Sequence, residues 1–131
     1  METYILDTNV LIRFIVGDTI PHQQQAERWF RDAESGKINI IIDPSVIAEA
    51  TFVLQSFYKY SREIISDTME VFLSQRWLEV REREALLDLW HHYRGGFHFV
   101  DSYCLALAQN AGVGVLSFDK KLQRRSSQAL K

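Results

Sequence analysis

Short β-prone apolar runs alternate with longer amphipathic segments along this chain, and this alternation constrains the fold more than any other feature. The intervening segments carry apolar residues at helical spacing. Strands that alternate with helices build parallel βαβ units with helices on both faces of the sheet. We therefore predict an α/β fold, a three-layer α/β/α arrangement around a central, mostly parallel sheet of four to five strands. The predicted strands are residues 4–6, 38–42, 77–80 and 113–116.

Capping and breaking residues divide the rest of the chain into helices. Pro21 and Pro44 suit the first turn of a helix, and Gly112 suits a helix end. Ser61 and Asp101 are predicted to cap helix N-termini. The predicted helices cover residues 10–16, 21–33, 44–57, 61–73, 82–93 and 101–110.

Length and composition indicate one globular domain. The chain has 131 residues and no Gly/Ser-rich linker, so we predict a single domain over residues 1–131. Its one cysteine, Cys104, excludes an intrachain disulfide framework and a cysteine-rich zinc site. No run reaches the roughly 18 apolar residues of a membrane helix, and the N-terminus lacks the basic region of a signal peptide. We expect a cytoplasmic protein without a membrane partner.

Charge is distributed unevenly along the chain, although the net charge is only −2. Residues 1–118 carry 10 basic and 16 acidic side chains, a net charge of −6, whereas residues 119–131 carry five basic and one acidic, a net charge of +4. The basic end is either a solvated terminus or a patch that faces phosphate beside an acidic site. The sequence alone leaves both interpretations open.

Four acidic residues stand apart from the core pattern. Asp7 follows the first predicted strand and Asp119 follows the fourth, and ligands of open α/β sheets bind outside the carboxyl ends of strands. Glu49 and Asp101 lie beside apolar residues, where an unpaired carboxylate is costly to bury. Carboxylates that converge raise one another's pKa unless a cation neutralises them, and Mg²⁺ favours oxygen ligands. Each acid also has a simpler structural explanation as a cap, a turn residue or a surface residue.

The residues around these acids resemble those of a known family. The segments 6–11 (LDTNVL), 45–49 (SVIAE), 99–108 (FVDSYCLALA) and 116–122 (LSFDKKL) resemble the PIN domain, and more narrowly the VapC-type toxins of VapBC toxin–antitoxin modules. The resemblance extends over nearly the whole chain. It implies a PIN-like fold and an endoribonuclease that depends on Mg²⁺ or Mn²⁺.

The resemblance also assigns roles to individual residues. It implies that Asp7, Glu49, Asp101 and Asp119 form an acidic catalytic quartet, in which the three aspartates are metal ligands and Glu49 holds or deprotonates the attacking water. Hydrogen bonds from supporting side chains would position the quartet. The predicted supporting residues are Thr8, Asn9 and Ser117.

Substrate and partners follow from the same interpretation. An acidic site repels RNA, so neighbouring cations must hold the strand; the candidates are Arg13, Lys120, Lys121, Arg124 and Arg125. VapC-type proteins usually form homodimers and are inhibited by a VapB-type antitoxin. The apolar helices of residues 45–73 are a candidate partner surface, although most of their apolar residues are expected in the core. The segment 126–131 is a poor fifth strand and could be a disordered chain end.

Other functions remain open at this stage. A phosphatase of the haloacid-dehalogenase type needs an acid two residues after Asp7, where Asn9 stands, and a receiver domain needs adjacent acids early in the chain. The stronger alternative is a non-catalytic module on a PIN scaffold that binds RNA or protein. Such a module has no need of four acids, which favours the nuclease.

Overall fold

A computed structural model describes residues 1–130 of the chain and the side chains of residues 1–126. Three strands and eight helices make up this part. In chain order they are β1 (Glu2–Ile5), α1 (Thr8–Val16), α2 (Ile20–Glu34), β2 (Ile38–Ile42), α3 (Pro44–Ser56), α4 (Arg62–Leu73), β3 (Glu79–Val80), α5 (Arg83–Asp88), α6 (Trp90–Arg94), α7 (Phe99–Ala111) and α8 (Lys120–Leu130).

The strands form one parallel sheet in the order β1-β2-β3. Glu2 of β1 pairs with Ile38 of β2, and Ile42 of β2 pairs with Val80 of β3. Helices flank this sheet, which confirms the predicted α/β class and the parallel arrangement. The predicted number of four to five strands is too high, since the described residues contain three.

The predicted fourth strand, residues 113–116, does not pair with the sheet. Gly112 adopts a left-handed conformation (φ 68°) and ends α7. The Val113 amide donates to the Ala108 carbonyl oxygen at 2.9 Å, so the first amide of the segment bonds to the end of α7 and not to the sheet. The Val115 amide donates to Ser126 Oγ at 2.8 Å. The segment is therefore held by α7 and α8, and β1 remains an edge strand.

Of the two predicted N-caps, Ser61 is confirmed and Asp101 is wrong. Asp43 accepts a hydrogen bond from the Ser45 amide, and Ser61 accepts one from the Ile64 amide. The exception is α7, which begins earlier than predicted: His98 is its N-cap and Asp101 lies inside the first turn. Phe99 is buried in the core, and this packing favours the earlier start of the helix.

β1, α1 and β3 differ from the expected bounds by two residues or fewer, and two larger differences lie further along the chain. The predicted helix 82–93 is divided at Leu89 into α5 and α6, and the His92 amide bonds to the Leu89 carbonyl in a tighter turn. Leu89 and its neighbour Trp90 are fully buried, so core packing decides the position of the break. At the C-terminus, α8 continues to Leu130, so residues 126–130 are helical and form neither a fifth strand nor a disordered end. Lys131 lies outside the described residues.

The main core lies between the sheet and the helices around it, and it includes Leu11, Ile42, Leu54 and Trp90. A smaller cluster of Phe97, Leu105 and Leu122 joins α8 to α7. Within the described residues, no helix is long and apolar enough to cross a membrane.

Candidate functional site

Asp7 lies at the carboxyl end of β1, where the chain turns into α1. The pairing of β1 with β2 extends to Leu6, whose amide donates to the Ile41 carbonyl oxygen at 3.0 Å. Asp7 itself is exposed and caps α1 by accepting a hydrogen bond from the Asn9 amide at 3.3 Å. One carboxylate therefore stands at the strand end that the sequence predicts, and it carries the structural role of a helix cap at the same time.

Glu49, a residue of α3, lies at the same surface as Asp7. The Thr8 hydroxyl donates to Glu49 Oε2 at 3.3 Å and so links the first residue of α1 to α3. Asp7, Thr8, Asn9 and Glu49 together line an open cavity of about 480 Å³. Two predicted acids and two predicted supporting residues thus share one concave surface, although 41 positions separate the hydrogen-bonded pair in sequence.

The other two predicted acids, Asp101 and Asp119, do not line this cavity. Asp101 is partly buried in the first turn of α7. Asp119 is exposed and directly precedes α8. Its Oδ1 accepts hydrogen bonds from the Lys121 and Leu122 amides in the first turn of that helix. The predicted supporting residue Ser117 accepts a hydrogen bond from the Asp119 amide at 3.0 Å. Neither acid is among the residues that line the cavity shared by Asp7 and Glu49.

These positions decide whether the acids fit a divalent metal ion. Mg²⁺ requires near-octahedral oxygen coordination, which a cluster of carboxylates supplies in part. In the part of the chain that the structure describes, no three His, Cys, Asp or Glu side chains lie close enough together to hold a metal ion. The single chain therefore offers the pair Asp7 and Glu49, and this pair does not complete the predicted quartet.

Arg13 is the predicted RNA-binding cation nearest to Asp7. Together with Asp7 and Asn9 it lines an adjoining cavity of about 200 Å³. Its guanidinium pairs with Asp18 at 3.1 Å and donates to Thr19 Oγ1 at 3.3 Å. Arg13 thus lies beside the acidic surface, but an acid already pairs with its charge.

Tyr58 also lines the cavity that Asp7 and Glu49 share, and it contacts Asp18; sequence reasoning missed both residues. The Tyr58 hydroxyl donates to Asp18 Oδ2 at 3.1 Å. Partial burial raises the pKa of Asp18, but the hydrogen bonds from Arg13 and Tyr58 outweigh it and hold that pKa below its ordinary value. No local sequence signal predicts this contact, because it depends on how the end of α3 packs beside α1.

The basic residues of α8 form a separate patch. Lys121 Nζ lies 5.0 Å from the centroid of the Phe97 ring, and the Arg125 guanidinium carbon lies 5.4 Å from it. Lys120 and Arg124 are exposed. None of these cations lines the 480 Å³ cavity or the adjoining 200 Å³ cavity beside Asp7. The single chain therefore does not place the basic patch of α8 in the lining of either cavity.

Cys104 behaves as a packed residue. It lies partly buried on α7, and burial, together with the nearby charge of Asp101, raises the pKa of its thiol. A thiol with a raised pKa forms less thiolate, the nucleophilic species.

A family comparison extends over almost the whole described chain. No curated protein and no solved structure matches the chain significantly. One family model does match: residues 4–127 match the model described as the PIN domain.

Proposed function

Since the chain belongs to the PIN-domain family, whose members are generally nucleases, we propose that it is an endoribonuclease that hydrolyses RNA phosphodiester bonds at the surface around Asp7 and Glu49. The observation that carries the proposal is the shared cavity at the carboxyl end of β1, where two carboxylates and their hydrogen-bonding neighbours converge. Ligand sites of parallel α/β sheets lie at this end of the strands.

The proposal gives each residue a distinct role. Glu49 accepts the proton of the attacking water, and the Thr8 hydroxyl orients its carboxylate. Asp7, Asp101 and Asp119 are proposed ligands of Mg²⁺ or Mn²⁺, which would stabilise negative charge on the phosphate. Asn9 and Ser117 hold the chain around Asp7 and Asp119, and Arg13 together with Lys120, Lys121 and Arg124 contacts the RNA backbone.

We further propose that the protein is a VapC-type toxin restrained by a VapB-type antitoxin. The support is the sequence resemblance together with an exposed apolar surface on α3 and α4. This surface includes Phe52, Phe57, Ile64 and Val71, each more than half exposed. Large apolar side chains that are this exposed are candidates for contact with a partner protein.

Incubation of the purified protein with a mixed RNA pool tests the nuclease. We expect cleavage with Mg²⁺ or Mn²⁺ and none with a chelator. Asp7→Asn and Glu49→Gln are each expected to lower the cleavage rate by about 100-fold. Asp88→Asn, which changes an exposed acid on α5, is the matched control and should cleave like the wild type. Wild-type cleavage by a folded Asp7→Asn protein would contradict the proposal.

A non-catalytic RNA-binding module is the second candidate, and one observation favours it. The described chain gathers two acids and not the three or four that a metal-dependent nuclease needs. If RNA shifts on a native gel with the protein but stays intact with every metal tested, the binding module is correct. Toxicity on expression without a partner would favour the toxin.

A further inference from the structure

Two aromatic residues line the same cavity as Asp7 and Glu49, and the proposed reaction gives neither of them a role. Phe57 is the C-cap of α3, and Tyr58 follows it. The Phe57 side chain is 74% exposed, although it contributes to a concave surface of about 480 Å³. A flat apolar ring with an open face inside a cavity is available to a ligand.

The period of α3 places an acid and an aromatic ring on one face of the helix. Glu49, Val53 and Phe57 follow one another at intervals of four residues, and all three line the cavity. Eight residues separate Glu49 from Phe57, which corresponds to about 12 Å along a helix. A polymer that passes Glu49 and follows α3 toward its carboxyl end therefore reaches the ring.

Contacts at the end of α3 fix the two aromatic residues. The Phe57 amide donates to the Val53 carbonyl oxygen at 2.9 Å, and the Tyr58 amide donates to the same oxygen at 3.2 Å. The two rings meet edge to face with their centroids 4.9 Å apart, and the Tyr58 hydroxyl donates to Asp18. The Phe57 ring is thus oriented before a ligand arrives, which lowers the entropic cost of binding.

We propose that Phe57 is a stacking site for one unpaired base of an RNA strand whose backbone passes Asp7 and Glu49. This inference rests on the proposed function, because it adds a base-binding site beside the residues of that reaction. Unpaired bases stack on exposed aromatic rings, whereas a base inside a duplex is already stacked on its neighbours. Lys59 is exposed in the same turn and adds a positive charge for the RNA backbone.

A base is the favoured occupant because of the groups that surround the ring. An unpaired base has a flat face and polar edges, and the cavity places the Phe57 ring together with the polar side chains of Thr8 and Asn9. An apolar protein segment on this ring would cover the two carboxylates without pairing them, which is costly. Phe52 is 68% exposed on the same helix but does not line the cavity, so it lacks these polar neighbours.

Stacking is measured apart from cleavage. A short RNA strand that carries a fluorescent adenine analogue is titrated in the presence of Mg²⁺, and every protein carries Glu49→Gln so that the strand stays intact. The analogue loses emission when it stacks on an aromatic ring, and it is placed at each position of the strand in turn. We expect quenching at one position, and we expect Phe57→Leu to abolish this quenching and to raise the Kd about tenfold.

Phe52→Leu is the matched control, because it makes the same change on the same helix outside the cavity. It should keep both the quenching and the Kd, and circular dichroism checks that both variants fold. A fully paired duplex of the same sequence should bind Phe57→Leu and its parent alike. If the two leucine variants bind the single strand alike, or if the parent protein does not bind it, the proposal is overturned.

The proposed reaction can fail separately from the stacking site. With Glu49 restored, Phe57→Leu is expected to raise KM about tenfold and to change kcat little, because stacking contributes to binding of the ground state and of the transition state alike. An RNA strand that is quenched at Phe57 but stays intact with the wild type and every metal would refute the nuclease and support the stacking site.

Discussion

Thr8 connects two parts of the acidic surface that lie far apart in sequence. Its hydroxyl contacts Glu49 Oε2, and its backbone begins α1 directly after Asp7. In the proposed nuclease, a Glu49 carboxylate that loses this donor would be less well oriented toward water. The hydroxyl is therefore expected to matter for rate and little for folding.

We predict that Thr8→Val lowers the cleavage rate about three- to tenfold, which corresponds to about 1 kcal/mol, the net contribution of a typical hydrogen bond. Thr8→Ser keeps the hydroxyl and should retain the wild-type rate. Single-turnover cleavage of RNA measures both. Equal rates for the valine and serine variants would show that this hydrogen bond does not contribute to catalysis.

His92 is a buried titratable residue of α6, and its pKa is lowered. Burial is the main cause, the hydrogen bond to Gln109 opposes it, and the charge of Arg125 and the neighbouring His91 lower the pKa further. The neutral form is therefore favoured in the folded protein. The unfolded chain keeps a pKa near 6.5 and takes up the proton first as the pH falls.

We predict that stability decreases as the pH falls below about 6.5 toward the lowered pKa of folded His92, and that this decrease is smaller in His92→Gln. Above that range both states hold a neutral imidazole and the contribution is constant. Urea unfolding at pH 7.0 and 5.5 measures the difference. The same pH dependence in wild type and variant would exclude His92 as its source.

At the scale of the element, N-caps decide where several helices begin. Ser61 stands before α4 and accepts a hydrogen bond from the Ile64 amide at 3.1 Å. The last turns are closed by backbone bonds, as at Gly112 after α7. These contacts are local, so substitutions at a cap change stability without altering the site.

Ser61→Ala is predicted to lower the free energy of unfolding by about 1 kcal/mol, because one amide of the first turn of α4 loses its acceptor. Ser61→Asp supplies another acceptor and should remain close to the wild type. Chemical denaturation monitored by circular dichroism compares the three proteins. An alanine variant as stable as the aspartate variant would contradict the role of the cap.

At the scale of the whole molecule, one arginine ties separate helices together. The Arg62 guanidinium at the start of α4 donates to the carbonyl oxygens of Tyr93 and Phe97, both at 2.7 Å, and lies 4.4 Å from the centroid of the Tyr93 ring. It thereby holds the end of α6 and the loop before α7 against α4.

Arg62→Met is predicted to lower the free energy of unfolding by about 1–3 kcal/mol, because it leaves two carbonyl groups without their donor. Arg76→Met removes an exposed arginine and should have little effect. Thermal and urea unfolding compare the variants. If both lose the same stability, the loss comes from charge and not from the contacts of Arg62.

Local patterns in the sequence were sufficient for the α/β class and for the order of its elements as far as β3. Apolar periodicity and capping residues act over a few positions, and the helices that begin at Pro44 and after Ser61 follow from them. Asp7 lies between the end of β1 and the start of α1, at the strand end as predicted. The family match over residues 4–127 agrees with the resemblance carried by the same motifs.

Contacts between distant segments decided the rest. Whether residues 113–116 form a strand depends on competition between β1 and the bonds to Ala108 and Ser126, which no local pattern records. The contacts of Thr8 with Glu49 and of Tyr58 with Asp18 likewise arise only when α1 and the loop that follows it pack beside the chain around α3. Most helices, the strands up to β3 and the candidate acids therefore follow from local sequence patterns, whereas tertiary packing sets which acids share a surface, because that depends on contacts between residues far apart in the chain.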